Sequence, residues 1–304
     1  MILKKKIIIF TYGFMGKNVY SNIFKSKKFE IIGIILPKKN SVYTTNININ
    51  KINKKIKILN SDNKKNIHKF IKKLKPDIVV ISTFNKILSS KTLNLSNFIN
   101  IHHGKLPKQK GRASINWAII MGRNNIYLTI HEVNEELDGG KIIKQIKFVI
   151  SKKDNYITLQ NKINTYLYLN FSKILETYLK NKIRLKKNSK SKETWNCSRN
   201  PEDGMINFYN KRKEIINLIR GTTNRNFGAF CFLKNKKISI LDAKKSSRKF
   251  EGIIPGRITR INPNGSVECL CSDGAIVISK IQYKNKIKKP ALLIKSTRDT
   301  LLND

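Results

Sequence analysis

The chain has 304 residues and an apolar content of 40%, which is enough for a sizeable core and two domains and excludes a disordered polypeptide. Its formal net charge of +43 favours a polyanionic partner such as RNA. The lysines, however, are dispersed along the whole chain instead of forming one patch or tail. We therefore favour an AT-biased coding sequence as the origin of the charge.

The cysteines and the apolar runs limit the other function classes. Four cysteines are too few for a disulfide framework in a chain of this length. Cys269 and Cys271 form a C-x-C pair with no second ligand pair nearby, so we expect no metal site. No apolar run reaches transmembrane length, and no small-residue cleavage site follows the opening MILKKKIIIF. We expect a cytoplasmic protein that does not contact the membrane.

Strands and helices alternate through the first part of the chain. This pattern predicts an α/β fold with an open, mostly parallel sheet covered by helices on both faces. The turn after the first strand, residues 12–16, has two glycines but no GxGxxG pattern, so tight turning explains it better than phosphate binding. Ligands bind such sheets at the carboxyl ends of the strands, where residues 82–88 and 100–102 lie. The predicted strands are 7–11, 29–36, 55–59 and 78–81, the predicted helices are 18–24 and 64–74, and a polar, Asn-rich connection occupies 38–54.

Residues 98–142 contain three of the four histidines. Asn100 and His102 end a strand and, two residues apart, project from the same face. His103 should point to the opposite face, and His131 should be a packed or hydrogen-bonded strand residue. Asp138 lies in a Gly-rich turn. The pattern predicts that Asn100, His102 and Asp138 meet at the top of the sheet as an acid–base pair with an amide donor.

The elements around these residues follow from local signals. Pro107 ends the strand, because proline has no N–H for a ladder. A helix is expected to open at Gly111 and Arg112, with Ser114 as a candidate cap. Strands are expected at 127–130 and 141–150.

The second part of the chain predicts a separate small domain. A long helix at 155–179, with Ile157 among its apolar residues, should pack on the sheet. Residues 182–200 are polar and basic without clear periodicity, which favours a linker. We therefore expect domains at 1–181 and 201–304, the latter a small β-barrel with hairpin turns at 264–265 and 273–274. The expected helix is 213–220, and the expected strands are 229–233, 237–241, 256–261, 267–271 and 275–281.

Several of these motifs together resemble those of the folate-dependent formyltransferases. The pattern consists of Asn100-x-His102, then Leu106-Pro107, then Gly111-Arg112, and later Leu137-Asp138-Gly139-Gly140. Residues 201–206 and 217–220 resemble the start of the C-terminal domain of that family. The resemblance covers nearly the whole chain and implies a Rossmann-like catalytic domain followed by an open, OB-like barrel. The family includes methionyl-tRNA formyltransferase and enzymes that formylate amino sugars on nucleotide carriers.

The resemblance implies 10-formyltetrahydrofolate as co-substrate, a primary amine as acceptor and no metal. Asn100 would donate a hydrogen bond to the formyl oxygen, where negative charge develops. His102, expected to titrate near neutrality, would relay the proton of the amine or, when protonated, join Asn100. Asp138 would orient the imidazole and favour its charged form. Folate-binding positions carried over from the family are Lys86, Ile87, Leu88, Arg112, Asn134, Glu135, Glu136, Leu137 and Asp138.

The sequence leaves several alternatives for the acceptor of the formyl group and for the activity itself. The run Gly111–Trp117, with Asn116 before Trp117, looks more like the sugar-directed enzymes, and the turn at 12–16 lacks the tRNA-type signature. The high charge instead favours initiator Met-tRNA. His103 and Gly104 stand where many members carry Gly and Ser, which suggests a differently arranged donor loop. Those two departures are also the basis for a third alternative, a non-catalytic RNA-binding protein. Hydrolysis of the folate donor to formate is a fourth.

Overall fold

The computed structural model describes residues 4–11, 13–38, 53–84, 86–223 and 228–302. Tyr12, Asn85 and most of the predicted connection at 38–54 lie outside these ranges. The chain divides into two compact units. Unit 1 comprises Met1–Gly111, Ile126–Phe148 and Gln160–Asn196, and unit 2 comprises Arg112–Asn125, Val149–Leu159 and Cys197–Asp304.

Alternating strands and helices run through residues 5–196. Seven of the described strands form one sheet in the order β3-β2-β1-β4-β5-β7-β8. The first five of these are parallel, and β7 runs antiparallel to β5. The elements are β1 (Lys5–Phe10), α1 (Gly13–Lys25), β2 (Phe29–Leu36), β3 (Lys57–Asn60), α2 (Lys64–Leu74), β4 (Ile78–Ile81), α3 (Ser90–Leu93), β5 (Asn97–His103), β6 (Lys110–Gly111), α4 (Ser114–Ile120), β7 (Asn125–Glu132), β8 (Ile142–Val149), α5 (Tyr156–Leu179) and β9 (Trp195–Asn196).

The central strands have no polar face. In β1, residues 7–10 are fully buried, and all four residues of β4 are buried as well. Continuous apolar runs of this kind are typical of parallel strands covered by helices on both sides. The predicted fold class is confirmed, and the predicted bounds of β2, α2 and β4 match those of the structure.

Helix α5 buries one stripe of side chains. Its members recur every fourth residue, which keeps them on one face of a helix. Ile157, one of the apolar residues of the predicted helix, lies off this face, since its side chain is 47% exposed. Ile157 precedes the first stripe residue by two positions, which is about 200° around the helix. The stripe consists of Leu159, Ile163, Leu167, Phe171 and Leu175.

Helix α4 begins later than the sequence predicts. Gly111 belongs to β6 and pairs with Asn196 of β9. Its φ of +87° is followed by a φ of +55° at Ala113, so the backbone turns left-handed twice before the helix. Ala113 is the N-cap residue, and the predicted cap, Ser114, is the first residue of the helix.

Unit 2 contains an antiparallel sheet that curls into a half-barrel, which confirms the predicted OB-like domain. Its strand order is β10-β11-β14-β13-β12, and β15 also pairs with β14. The core contains the buried, free thiols of Cys231, Cys269 and Cys271. Its elements after β9 are α6 (Arg212–Gly221), β10 (Phe230–Leu233), β11 (Lys236–Lys245), β12 (Ile258–Ile261), β13 (Val267–Cys271), β14 (Gly274–Tyr283) and β15 (Lys286–Lys288).

Two hairpin turns in unit 2 have a composition that the sequence analysis did not recognise. Lys234 and Asn235 connect β10 to β11 with φ of +46° and +62°, and Lys284 and Asn285 connect β14 to β15 with φ of +46° and +60°. Two successive positive φ values are typical of type I′ turns, which usually carry Asn-Gly. Within the described ranges, no helix has the length and apolar character needed to cross a bilayer.

Candidate active site

The register of β5 brings the predicted catalytic side chains together in unit 1. Asn100 lies opposite His131 of β7, and His102 lies opposite Thr129. The carboxylate of Asp138 completes the cluster. Its Oδ1 accepts a hydrogen bond from Asn100 Nδ2 at 3.4 Å, and its Oδ2 lies 3.4 Å from His102 Nδ1. The structure therefore brings Asn100 and His102 together around the carboxylate of Asp138.

The left-handed backbone of Asp138 and a hydrogen bond from the backbone N–H of Gly111 also fix the position of its carboxylate. Its φ of +50° is left-handed, which a turn with following glycines accommodates. The N–H of Gly111 donates to Oδ2 at 3.1 Å. Burial alone would raise the pKa of Asp138, but His131, His102 and the Gly111 amide together hold it below its ordinary value. The carboxylate is therefore ionised at neutral pH.

The ring of His102 lies between two acceptors. Its Nε2 is 2.7 Å from the carbonyl oxygen of Gln109. Because a carbonyl can only accept, Nε2 carries a proton, and Nδ1 faces Asp138. Burial lowers the pKa of His102 below its ordinary value, although Asp138 and the Gln109 carbonyl oppose this effect. The expectation that His102 titrates near neutrality stays a prediction.

The loop that presents the Gln109 carbonyl is anchored to neighbouring strands. Thr129 Oγ1 donates to the Gly104 carbonyl at 2.5 Å, and Gln145 Nε2 donates to the Leu106 carbonyl at 2.8 Å. A Cβ atom at Gly104 would lie 2.5 Å from the Gln109 oxygen, well inside normal contact. Gly104 therefore gives the space that the contact between His102 and Gln109 requires.

Residues 182–196 add contacts that the sequence analysis missed. Asn188 Nδ2 donates to the Asp138 carbonyl at 2.7 Å, and Gln109 N donates to Thr194 Oγ1 at 3.0 Å. Lys110, only 2% exposed, pairs with Glu193 at 2.7 Å. No sequence pattern in residues 182–196 predicts these contacts, because the stretch contributes only one isolated side chain to each of them. The domain limits at 1–181 and 201–304 stay a prediction.

His131 belongs to the same cluster. Its Nε2 lies 3.1 Å from Asn100 Nδ2 and 3.6 Å from Asp138 Oδ1, and its side chain is 2% exposed. The sequence predicted a packed or hydrogen-bonded strand histidine. It gave no reason to place His131 beside Asn100, because the register between β5 and β7 is not encoded in either strand alone.

The predicted folate loops contain exposed apolar side chains. Ile87 is 50% exposed and Leu137 is 46% exposed, whereas Leu88 is buried. Arg112 is exposed and belongs to unit 2, so its predicted role near the donor stays a prediction.

The polar members of these loops are mostly engaged with neighbours. Lys86 pairs with Asp62 at 3.4 Å, Glu136 pairs with Lys190, and Asn134 Oδ1 accepts from the Glu136 amide. Two predicted residues, Asn134 and Glu135, line a cavity of about 360 Å³. Its other lining residues are Ser90, Leu93, Asn94, Ser96, Asn97, Phe98, Glu132, Val133 and Tyr178.

Comparison with known proteins identifies the family. Residues 6–171 match the formyl transferase family model, and residues 199–296 match the model of the formyl transferase C-terminal domain. The chain belongs to the formyl transferase family. This agrees with the resemblance predicted from the motifs around Asn100 and His102.

Among the curated relatives is the bifunctional polymyxin resistance protein ArnA of Wigglesworthia glossinidia brevipalpis, 29% identical over 286 residues. That match covers 91% of this chain and 43% of the relative, so the chain spans less than half of its length. Methionyl-tRNA formyltransferase of Malacoplasma penetrans is 27% identical, with 87% of this chain and 85% of the relative covered. An N-formyltransferase from Helicobacter canadensis, solved with folinic acid and dTDP-3-aminofucose, shares the fold at a TM-score of 0.66 and 19% identity, covering 91% of this chain and 99% of that chain.

Proposed function

We propose that this formyl transferase moves the formyl group of 10-formyltetrahydrofolate to the primary amine of a nucleotide-linked amino sugar. The observation that carries the proposal is the cluster of Asn100, His102 and Asp138 in unit 1. The amide of Asn100 and the imidazole of His102 each lie 3.4 Å from an oxygen of the ionised Asp138 carboxylate. Attack by an amine on a formyl group needs a donor for the oxygen and a base for the nitrogen.

Asn100 is suited to stabilise charge on the formyl oxygen. Asn100 is partly exposed to solvent, whereas the side chains of His102 and Asp138 are only 7% and 6% exposed. Of the three residues, Asn100 is therefore the most accessible to a substrate. Its contact with Asp138 is long at 3.4 Å, so that N–H is easily redirected to a substrate oxygen. Loss of such a donor typically costs about 10²–10³ in rate.

His102 is suited to accept the proton of the amine. Burial lowers the pKa of His102, which favours the neutral, basic form of the ring. Nδ1 faces Asp138 Oδ2 and Nε2 faces the Gln109 carbonyl, so Nε2 can accept the proton once its contact with Gln109 opens and the ring proton lies on Nδ1 beside the carboxylate. Once the ring is protonated, the ionised carboxylate of Asp138 stabilises its positive charge at 3.4 Å. When the tetrahedral intermediate collapses, the bond between the formyl carbon and N10 of the folate breaks, and the imidazolium returns the proton to N10. Asp138 thus supports proton transfer without itself becoming protonated.

The donor side is supported by the exposed apolar residues of the two predicted folate loops. A flat aromatic ligand gains binding energy by covering side chains such as Ile87 and Leu137. The cavity of about 360 Å³ is lined by Asn134 and Glu135 but by none of Asn100, His102 and Asp138, so the donor proposal rests on the exposed apolar side chains and not on this cavity. Arg112 and Lys86 are proposed to contact the folate co-substrate, on the basis of the family resemblance alone.

The acceptor proposal rests on the sugar-like run and on the relatives. In the described structure, Asn116 Nδ2 donates to the Gly221 carbonyl at 2.8 Å and Trp117 Nε1 donates to the Cys197 carbonyl at 2.9 Å. The two side chains therefore brace α4 within unit 2, and the run supports the acceptor only as a resemblance. The Helicobacter canadensis relative in complex with dTDP-3-aminofucose supports the same acceptor class.

Initiator Met-tRNA is the second candidate acceptor. The net charge of +43 would attract a polyanion. The methionyl-tRNA formyltransferase of Malacoplasma penetrans is matched along 85% of its length, whereas ArnA is matched along 43%. For this candidate we expect tRNA binding whose affinity falls steeply with salt.

A formyl-transfer assay with both acceptors in parallel tests the proposal. The purified protein and 10-formyltetrahydrofolate are offered Met-tRNA and a panel of nucleotide-linked amino sugars. Transfer to a sugar, lost in Asn100→Ala and His102→Ala, is the expected result. Transfer to Met-tRNA alone would replace it with the second candidate. Formate release without any transfer would indicate donor hydrolysis, and no turnover at all would favour a non-catalytic RNA-binding protein.

A further inference from the structure

The buried imidazole of His131 contacts one polar side chain and one backbone carbonyl at hydrogen-bonding distance. Nδ1 lies 2.6 Å from the carbonyl oxygen of Glu132, and Nε2 lies 3.1 Å from Nδ2 of Asn100. The Oδ1 atom of Asp138 lies 3.6 Å from Nε2, farther than Asn100, and forms an ion pair with the ring only when the ring is protonated. Nε2 therefore has Asn100 as its nearest polar contact among these.

These distances fix the tautomer of the neutral ring. The Glu132 carbonyl can only accept, so Nδ1 of His131 must donate and carries the proton. In the neutral ring, Nε2 then has a lone pair and accepts from Asn100. This arrangement is the reverse of the one at His102, where Nε2 carries the proton and donates to Gln109.

The tautomer in turn fixes the orientation of the Asn100 carboxamide. If the amide were flipped, Oδ1 would face the lone pair of His131 Nε2 and the carboxylate of Asp138, both of which repel it. We propose that His131 is a positioning residue that holds the Nδ2 atom of Asn100 toward the reacting formyl oxygen. The inference rests on the proposed formyl transfer and adds a role for a residue outside the three predicted ones.

The two N–H groups of Asn100 then have different tasks. One is held by His131 at 3.1 Å, while the other reaches Asp138 at the looser distance of 3.4 Å. The firmly held N–H sets the angle of the amide, and the loosely held one is available for the substrate oxygen. A donor that is aligned before the reaction stabilises developing charge without reorganisation, which is the source of its effect on rate.

Substitution of His131 separates positioning from packing. His131→Leu removes the acceptor, and we expect kcat to fall about 10-fold to 100-fold, less than the loss of the donor itself, with little change in the KM of the folate donor. His131→Gln restores an amide oxygen that accepts from Asn100 and should recover most of kcat. His103→Leu is the matched control, because it removes a neighbouring histidine on the opposite face of β5 and should leave kcat within about threefold.

A double-mutant cycle with Asn100 provides the decisive readout. If His131 acts through Asn100, His131→Leu should lower kcat in the wild type but cause no further loss in the Asn100→Ala background. Equal losses in both backgrounds would overturn the inference and assign His131 a general packing role. Unchanged kcat in His131→Leu, with the wild type active, would also overturn it.

The same experiment keeps the inference distinct from the proposed function. Wild-type transfer to the amino sugar is measured first, and its absence would refute the proposed function, whatever His131 does. Circular dichroism and thermal unfolding of each variant identify loss of fold. If His131→Leu does not fold, the pair of His131→Gln and His131→Asn replaces it, because asparagine is too short to reach Asn100 and should show the lower kcat.

Discussion

The space at Gly104 leads to a quantitative prediction about the catalytic histidine. A Cβ atom at this position would meet the Gln109 carbonyl oxygen at 2.5 Å and His102 Cδ2 at 3.0 Å, whereas ordinary contact begins at 3.4 Å. Nε2 of His102 is the nearest atom, so the ring and the carbonyl would have to separate from the new methyl group by up to about 1 Å. Both are held by hydrogen bonds, so the substitution displaces them instead of being absorbed by a flexible side chain.

We expect Gly104→Ala to lower kcat by about 10²-fold, because a displacement of about 1 Å in a catalytic group has an effect of that order. Gly104→Ser, which adds a hydroxyl to the same Cβ atom, should lower it at least as much. The free energy of unfolding should fall by about 1–3 kcal/mol, as is typical of overpacking. Gly252→Ala is the matched control, since a Cβ atom there has nothing within 4 Å.

The assay is formyl transfer under saturating donor and acceptor, with urea denaturation of each variant. Folded Gly104→Ala and Gly104→Ser enzymes that keep kcat within about threefold of the wild type would refute the reasoning. They would show that residues 104–109 rearrange freely, and that the contact between His102 and Gln109 does not constrain the active ring.

Three further predictions concern stability and donor binding. Burial lowers the pKa of His103 to about 4, so the unfolded chain binds more protons than the folded one between pH 6.5 and 4. Stability should therefore fall by at most about 3 kcal/mol as the pH is lowered through this window, and urea titrations at pH 7, 5.5 and 4.5 should show a smaller fall in His103→Leu. Phe171→Ala empties a fully buried site on α5 and should cost about 3–5 kcal/mol by the same titration at pH 7, whereas a cost below about 1 kcal/mol would contradict the packing described. Leu137→Ala should weaken binding of the folate donor several-fold without lowering kcat, as measured by fluorescence titration and steady-state kinetics, and an unchanged Kd would remove Leu137 from the proposed donor site.

Strands and helices with a regular pattern of apolar residues were predictable, because that pattern follows the burial of their side chains. Residues 78–81 are apolar without interruption and form a strand buried on both faces. Helix α2 was predictable to its bounds, since Ile67 and Ile71 recur at helical spacing among lysines. The start of α4 was not, because left-handed backbone at Ala113 has no residue signature. The same applies to the turn at Lys234 and Asn235, where lysine occupies a position that usually favours Asn or Gly.

Only the site residues that belong to a recognisable sequence motif could be predicted from the sequence. Asn100 and His102 lie two positions apart on a strand, and Asp138 follows from the resemblance to a known family. His131 depends on the register between β5 and β7, and the Gln109 carbonyl is a backbone group that any residue would supply. Contacts of this kind arise from tertiary pairing and leave no mark on local sequence.

The contacts of residues 182–196 have a consequence for where unit 1 can be cut. Asn188, Thr194 and Glu193 hold the backbone of Asp138, the amide of Gln109 and the ammonium of Lys110. These clamping residues lie in a mostly exposed, lysine-rich stretch, which is a favourable substrate for trypsin. A single cleavage near Lys187 would leave every strand of the main sheet intact yet release the loops on both sides of His102. Proteolytic sensitivity at this stretch and loss of formyl transfer should therefore follow the same time course, well before the sheet unfolds.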